Sequence, residues 1–537
     1  YTMTTLEELG LLKMDFLALR NLTVLDDAVK LVRQIKPGFK IEDAPEDDAE
    51  TYEMLAAGRT SGVFQLESTG MTGVCVGLKP KSIEDITALI ALYRPGPMDS
   101  IPRFLECSVH PEKVSYKHEL LKPILSVTYG CIVYQEQVIE IFRRLAGFSL
   151  GQADMIRRAM SKKKHKVIDA ERVAFIHGDP SRGIPGAVAN GVPEAVANSI
   201  YDEILDFASY AFNKAHAVCY AIVAYRTAYM KRHYPQQYMA ALLTSVLDNS
   251  PKVAEYIAEC RELGIKLLPP DVNESGANFT VAGENLRYGL VAIKGIGWGA
   301  INGMVAERER DGLFKSFEDF CRRMSGKELN RRAVENLIKS GAFDSLGYKR
   351  RALMQVCGAV IDSISRAAKD NISGQMDLFG GGDGGSGSEP ESIPIPDIEE
   401  YSPRERMAME KETTGLYLTG HPMDEYRDAV RRIGAVPIGA VMGDFAAEDG
   451  PQSYSDGQYI TVAGVVAAVR TRPTKNNSLM SYITLEDDTG TMELIAFQRV
   501  LDQSSPYITE NAALIVRGRI SVRDEKEPQL MVDTLRP

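Results

Sequence analysis

The 537 residues exceed what one core usually holds, about 250–300, so several domains are expected. With 44% hydrophobic and 25% charged residues, and no apolar run near the roughly 20 that span a bilayer, the composition is that of a globular chain and excludes membrane-spanning helices. A net charge of −11 excludes a uniformly basic nucleic-acid binder, but leaves room for a local basic groove inside an acidic whole.

In chain order, LLKMDFLAL (Leu11–Leu19) reads as a short strand. Alternation puts Leu12, Met14 and Phe16 on one face and Lys13, Asp15 and Leu17 on the other. Asp15 among apolar neighbours is either a structural carboxylate capping the next helix or part of a charged site. Asn21 or Thr23 is expected to cap that helix, whose apolar face is Leu25, Val29 and Val32. Helical periodicity then dominates to about Leu247, broken by turns such as YRPGPM (Tyr93–Met98). Residues 251–366 read as smaller helical units. Gly380–Glu400 is a flexible linker by composition, and residues 403–445 a mostly helical connector. From Asp456 the chain turns β-rich, with five strands and turn signals such as DDTG, which predicts an OB-fold barrel. The fold class is therefore mainly α and multidomain, with a C-terminal β-barrel.

Four stretches carry candidate chemistry. RRAMSKKKHK (Arg157–Lys166) holds six Lys/Arg and no acid; it is either a solvated helix face or a surface for triphosphate or nucleic-acid backbone. Asn213, Lys214 and His216 open a long helix, where anions bind, while Tyr225 and Tyr229 have the spacing of core or partner packing. Lys294-Gly295-Ile296-Gly297 between apolar segments has the helix-hairpin-helix pattern, in which glycines let backbone N–H groups approach phosphate; a packing turn is the alternative. QMDLF (Gln375–Phe379) places Leu and Phe in a segment with no core of its own, as anchors for a partner pocket do. In the barrel, Tyr459, Tyr482 and Phe497 either stack bases or fill the core. The seven cysteines stand singly without a CxxC pair and the seven histidines are dispersed, which argues for a reducing, cytoplasmic setting and against a zinc site.

Together these segments resemble one family, the α subunit of bacterial DNA polymerase III, the C-family replicative polymerases. The resemblance rests on LGLLKMDFLALR, GVFQLES (Gly62–Ser68), LIALYRPGPM, TYGCIVYQEQV (Thr128–Val138), RRAMSKKK, FNKAHA, LPPDVN, AIKGIG, LIKSGAFD and QMDLF in the family's order, and it covers essentially the whole chain. It implies the end of the palm as a short α/β remnant over residues 1–20, fingers over 21–250 and a helix-hairpin-helix, duplex-binding region over 251–366. A sliding-clamp motif at 367–380, a linker at 381–402, a connector at 403–455 and an OB domain at 456–537 would follow.

The resemblance further implies template-directed addition of dNTPs to a primer 3′-hydroxyl through two Mg²⁺ ions held by three aspartates, of which Asp15 matches the third. No P-D-x-D motif supplying the other two is found: the prolines before Asp271 and Asp397 have the wrong surroundings. A chain beginning at Tyr1 without those carboxylates is expected to be a piece lacking the N-terminal PHP domain, thumb and most of the palm, and inactive alone. By the same analogy Arg157, Arg158, Lys162, Asn213, Lys214 and His216 face the incoming triphosphate, while Lys13, Lys294, Gly295 and Gly297 meet DNA. Leu378 and Phe379 would plug the clamp with Gln375 as polar latch, flanked by Met376 and Asp377. The implied partners are primer–template DNA, dNTP and the β sliding clamp, with single-stranded DNA at the OB domain and clamp-loader or replisome subunits beyond, and no membrane. A mutagenic C-family paralogue, or a module that only binds DNA and clamp, are the competing readings.

Overall fold

The computed structural model describes residues 1–12, 14, 16–94, 96–161, 165–208, 212–247, 249–327, 329–376, 392–445, 451, 453–473, 478–522 and 527–537. It divides into two compact units, Tyr1–Tyr238 and Met239–Pro537. Among the described residues no helix is long and apolar enough to cross a membrane.

The first unit is built from helices around two cores. One surrounds the Lys214–His233 helix, whose Ala217, Ala221, Ala224 and Ala228 form a narrow stripe at helical spacing. Small side chains there let the Ile83–Leu92 helix, buried along nearly all its length, pack close. The other core centres on the Gln135–Ala146 helix, where Phe142 meets Phe148, Phe175 and Tyr201 edge-on at 5.0–5.9 Å.

The Arg20–Ile35 helix buries Leu25, Val29 and Val32 as expected, together with Val24 and Ala28. Its start differs: Leu19 occupies the N-cap position with no side-chain cap, so Asn21 and Thr23 lie inside the first turn. The strand expected at Leu11–Leu19 does not form among the described residues. A short helix, Met3–Glu8, precedes described residues without regular structure, among which Leu12 and Phe16 are 91% and 92% exposed. Alternating apolar residues make a strand only when another strand supplies the ladder. In this unit the described residues offer only isolated bridges, Tyr134 to Phe212 and Asp179 to Ile184.

The second unit begins with helices and a small sheet of β1 (Leu267–Leu268), β2 (Thr280–Ala282) and β3 (Asn285–Arg287), in the order β1-β3-β2. Its C-terminal part is a closed barrel of β4 (Tyr459–Pro473), β5 (Leu479–Glu486), β6 (Thr491–Phe497), β7 (Ala513–Ser521) and β8 (Gln529–Arg536), in the order β4-β5-β6-β8-β7. Strand β4 is long enough to serve two neighbours: its first half pairs with β7, its second with β5, and a bulge between Val466 and Ala468 turns it from one to the other. A parallel β6–β8 contact closes the ring, as an OB-type barrel requires. Gly464 lets β4 approach the end of β5 closely, since a Cβ there would lie 2.6 Å from the Glu486 carbonyl.

Between sheet and barrel, the Pro403–Thr414 helix ties the unit together through its last turn. Thr413 and Thr414 offer carbonyls to Lys294 N–H and the Tyr288 hydroxyl, at 2.8 and 3.1 Å. Glu410 binds Arg350 at 2.9 Å, while Lys411 reaches Glu486 of the barrel at 2.7 Å. A helix that reads as polar nearly all round is thus the joint between the hairpin region and the barrel.

Candidate nucleotide and nucleic-acid interface

In the first unit, the parallel bridge between Tyr134 and Phe212 brings two distant stretches together: Gln135 N–H donates to the Phe212 carbonyl at 2.8 Å. The first turn of the Gln135–Ala146 helix consequently lies against the start of the Lys214–His233 helix. Glu136 receives the Asn213 side-chain amide on one oxygen and the Lys214 backbone N–H on the other, each at 3.0 Å. Next door, Gln135 accepts from Arg157 Nη1 at 3.0 Å. Two neighbouring residues, Gln135 and Glu136, therefore join the basic helix to the FNKAHA motif. Neither was singled out from the sequence, although both lie in TYGCIVYQEQV; their partners are about 20 and 80 positions away.

Arg157 and Arg158 both pair with Asp154, at 2.9 and 2.8 Å. Those contacts, Arg157 first, hold the Asp154 carboxyl below the usual carboxylate range. The basic run contains no acid, but Asp154 stands three and four residues earlier on the same helix, the spacing at which side chains meet. Arg157 is the more enclosed of the two, 17% exposed against 68%. Lys162 lies outside the described residues, as do Lys13 and Asp15.

Two backbone N–H groups at the start of the Lys214–His233 helix are already engaged. Asn213 Oδ1 accepts the His216 N–H at 2.8 Å, and the Glu136 carboxylate already takes the Lys214 N–H. A helix N-terminus favours negative charge, and here the protein supplies it. The side chains there are the candidates for a phosphate. The Lys214 ammonium meets Glu84 at 3.0 Å and lies 5.4 Å from the Tyr134 ring centroid. His216 is exposed, stacked 4.5 Å from Tyr220 and edge-on to Phe212. Arg94, from YRPGPM, lies 4.0 Å over the Phe212 ring and donates to the Ala91 carbonyl; burial lowers its pKa. Arg94 and Glu84 thus extend the expected set.

Among the described residues no group of three or more His, Cys, Asp or Glu could hold a metal ion. The ligand set expected for Mg²⁺ is thus not supplied by them, and Asp15 lies outside them.

In the second unit, Gly295 turns the hairpin at φ +78°, and the Trp298–Asp311 helix follows with Gly297 at its N-cap. The upstream arm is shorter than expected, a single 3₁₀ turn over Leu290–Ala292. Backbone bonds from Leu290 and Val291 to the Gly276 and Ala277 carbonyls hold it in place of a full helix. Lys294 is engaged internally, since its ammonium donates to the Glu412 carbonyl at 3.0 Å while Asn336 donates to its own carbonyl at 2.7 Å. The two glycines are not equivalent. A Cβ at Gly295 would sit 3.2 Å from Asn336 Nδ2 in a left-handed backbone, whereas at Gly297 it would meet open space at φ −82°. Gly295→Ala should therefore cost about 1–3 kcal/mol of stability and weaken duplex binding. Gly297→Ala should cost less than about 1 kcal/mol, the difference in capping preference. Melting curves and duplex titrations of both variants check this, and equal losses would refute it.

On the barrel, Tyr459 and Phe497 are exposed and Tyr482 is half-buried beside Arg470 of the paired strand, so none of the three fills the interior core. Gln375 and Met376 close the Arg350–Met376 helix, while Asp377, Leu378 and Phe379 lie outside the described residues.

A helical unit with clustered cationic side chains, followed by a glycine-turned hairpin and an OB-type barrel, has the make-up of the nucleic-acid-binding class of protein. Residues 21–183 match the model described as the bacterial DNA polymerase III alpha subunit finger domain, 264–353 a helix-hairpin-helix motif, and 460–537 an OB-fold nucleic acid binding domain. Curated relatives named DNA polymerase III subunit alpha are similar along the chain. Those of Thermus aquaticus, Bacillus subtilis and Borreliella burgdorferi are 41%, 39% and 38% identical over 98% of it, covering 42%, 45% and 44% of their own lengths. The chain is a portion of the DNA polymerase III alpha-subunit family, carrying its finger, helix-hairpin-helix and OB-fold segments, and it spans less than half the length of these relatives.

Proposed function

We propose that this chain is the nucleotide-receiving and DNA-holding portion of a replicative DNA polymerase that adds dNTPs to a primer 3′-hydroxyl under template direction. The observation that supports this reading is the junction at Gln135 and Glu136, which sets Arg157 of one helix and Asn213 and Lys214 of another around one place. Guanidinium and ammonium groups from separate elements suit the spread charge of a triphosphate. His216, Tyr220 and Phe212 beside them offer flat surfaces to the nucleotide. The work of these residues is to bind and orient; Arg157 fixes direction by its fork, and Lys214 adds a mobile point charge. Mg²⁺ with Asp15 belongs to the proposal for the intact polymerase only.

In the same proposal the Gly295 hairpin holds duplex backbone, the exposed barrel aromatics Tyr459 and Phe497 meet single-stranded DNA, and QMDLF docks on the sliding clamp. Photoreactive dNTP added to the intact polymerase on primed template should label peptides spanning 134–158 and 212–220, and only when it matches the template base. Labelling elsewhere would refute the assignment. Leu378→Ala with Phe379→Ala should reduce processive synthesis on clamp-loaded DNA by about tenfold or more, as loss of a hydrophobic anchor does. Unchanged product length would reject the clamp reading.

A further inference from the structure

Tyr134 is 1% exposed, yet its hydroxyl has no hydrogen-bond partner. Buried polar groups are nearly always satisfied, so an orphan of this kind calls for an explanation. This one lies in an acidic neighbourhood. Burial pushes the phenol's pKa up, and Glu84, Asp85 and Glu136 push it further. Geometry brings Glu84 near: it holds, at 3.0 Å, the Lys214 ammonium that lies 5.4 Å from the Tyr134 ring centroid.

Two of the three carboxylates are committed. Glu136 accepts from Asn213 on one oxygen and from the Lys214 backbone on the other. Asp85 accepts from Lys81 N–H and the Ser82 hydroxyl on one oxygen, and from the Tyr129 hydroxyl on the other. Glu84, in the first turn of the Ile83–Leu92 helix, instead holds the Lys214 ammonium at 3.0 Å. That pair is partly open to solvent, 32% and 53% exposed, so it is weak enough to exchange. Its lysine is also the cation that lies over the Tyr134 ring.

We propose that Glu84 is a two-position carboxylate. Without nucleotide it holds Lys214; when a triphosphate takes the Lys214 ammonium, Glu84 turns to accept a hydrogen bond from the Tyr134 hydroxyl. The inference rests on Lys214 meeting the nucleotide's phosphates. It gives the buried hydroxyl an acceptor, the carboxylate that Lys214 holds until a ligand takes its ammonium. Glu84 and Tyr134 are then positioning residues, since they act through Lys214 and do not touch the nucleotide. The exchange also protects affinity, because a carboxylate displaced from its cation gains a donor in place of being stranded.

The test uses the intact polymerase and reads single-nucleotide incorporation and thermal melting. Tyr134→Phe removes a hydroxyl that makes no hydrogen bond, so its melting temperature, measured without nucleotide, should be unchanged or higher. Its KM for dNTP should rise about three- to tenfold, the worth of one net hydrogen bond, with kcat within about twofold. In a Glu84→Ala background Tyr134→Phe should have no further effect on KM, because the acceptor is gone. Lys214→Ala separates the two layers of the argument. A normal KM in that variant would overturn the nucleotide reading and the exchange together. A raised KM there, with a normal KM or a lowered melting temperature in Tyr134→Phe, overturns the exchange alone.

Discussion

Replacing Glu410 by alanine should destabilise the second unit by about 3–5 kcal/mol, the range measured when one partner of a buried ion pair is removed. Glu410 is 0% exposed and Arg350 1%, so neither can fall back on water. One Glu410 oxygen meets Arg350 Nη1 at 2.9 Å; the other takes the Leu418 and Thr419 N–H groups, each at 3.0 Å, and the Thr419 hydroxyl at 3.1 Å. Alanine removes the acceptor from all of these donors at once; exposed Thr419 can turn to water, but Arg350 is buried and its Nη1 is left with only the Lys339 carbonyl at 3.2 Å. Arg350 keeps Asp344 at 2.7 Å, which limits the loss but does not replace the buried carboxylate. A denaturation midpoint measured against wild type checks the value, and a loss under about 1 kcal/mol would refute it. Replacing both partners together, Glu410→Leu with Arg350→Met, should cost less than Glu410→Ala alone, because no buried charge is then left unpaired; Asp344, which loses Arg350, is 43% exposed and falls back on water. The consequence reaches function. The helix carrying Glu410 also offers carbonyls to Lys294 beside the hairpin and a lysine to the barrel. Glu410→Ala should therefore weaken duplex binding although Glu410 contacts no proposed DNA residue.

How much of this was legible in the sequence follows from how local each feature is. The barrel was readable strand by strand, because period-2 alternation is set by neighbours in sequence, as in β5, where buried Ser481, Ile483 and Leu485 alternate with half-buried residues. The same signal misled at Leu11–Leu19, because alternation says which faces a strand would have and nothing about whether a second strand lies alongside. Buried Glu410 stood in RERMAMEKETT, which reads as a solvated helix; its partner Arg350 is 60 residues away. At the proposed nucleotide site the basic residues were visible and most of their acids were not. Asp154 was within reach, at helical spacing from both arginines. Glu84 and Glu136 were not, because they come from other helices across a bridge that only the folded chain makes.

Arg157→Lys should lower kcat/KM for dNTP by about 10- to 100-fold in the intact polymerase, the equivalent of about 1.5–3 kcal/mol for lost charge-assisted hydrogen bonds. Charge is preserved in this variant, so the effect isolates geometry. The Arg157 guanidinium places Nε and Nη2 on Asp154, at 3.0 and 2.9 Å, and Nη1 on Gln135 at 3.0 Å. A planar fork can span two helices in this way; an ammonium on a flexible stem cannot hold both partners in fixed directions. Gln135 is next to Glu136, which sets Asn213 and Lys214, so loosening the fork frees the turn that registers the second motif. Arg158 provides the control. It shares Asp154 but is 68% exposed and reaches no second helix in these contacts, so Arg158→Ala should change kcat/KM by less than about threefold if it acts only as an exposed ion pair. Single-turnover incorporation on a primed template resolves the two. A larger loss for Arg158→Ala than for Arg157→Lys would move the phosphate contact outward along the basic helix and remove Arg157 from the centre of the site.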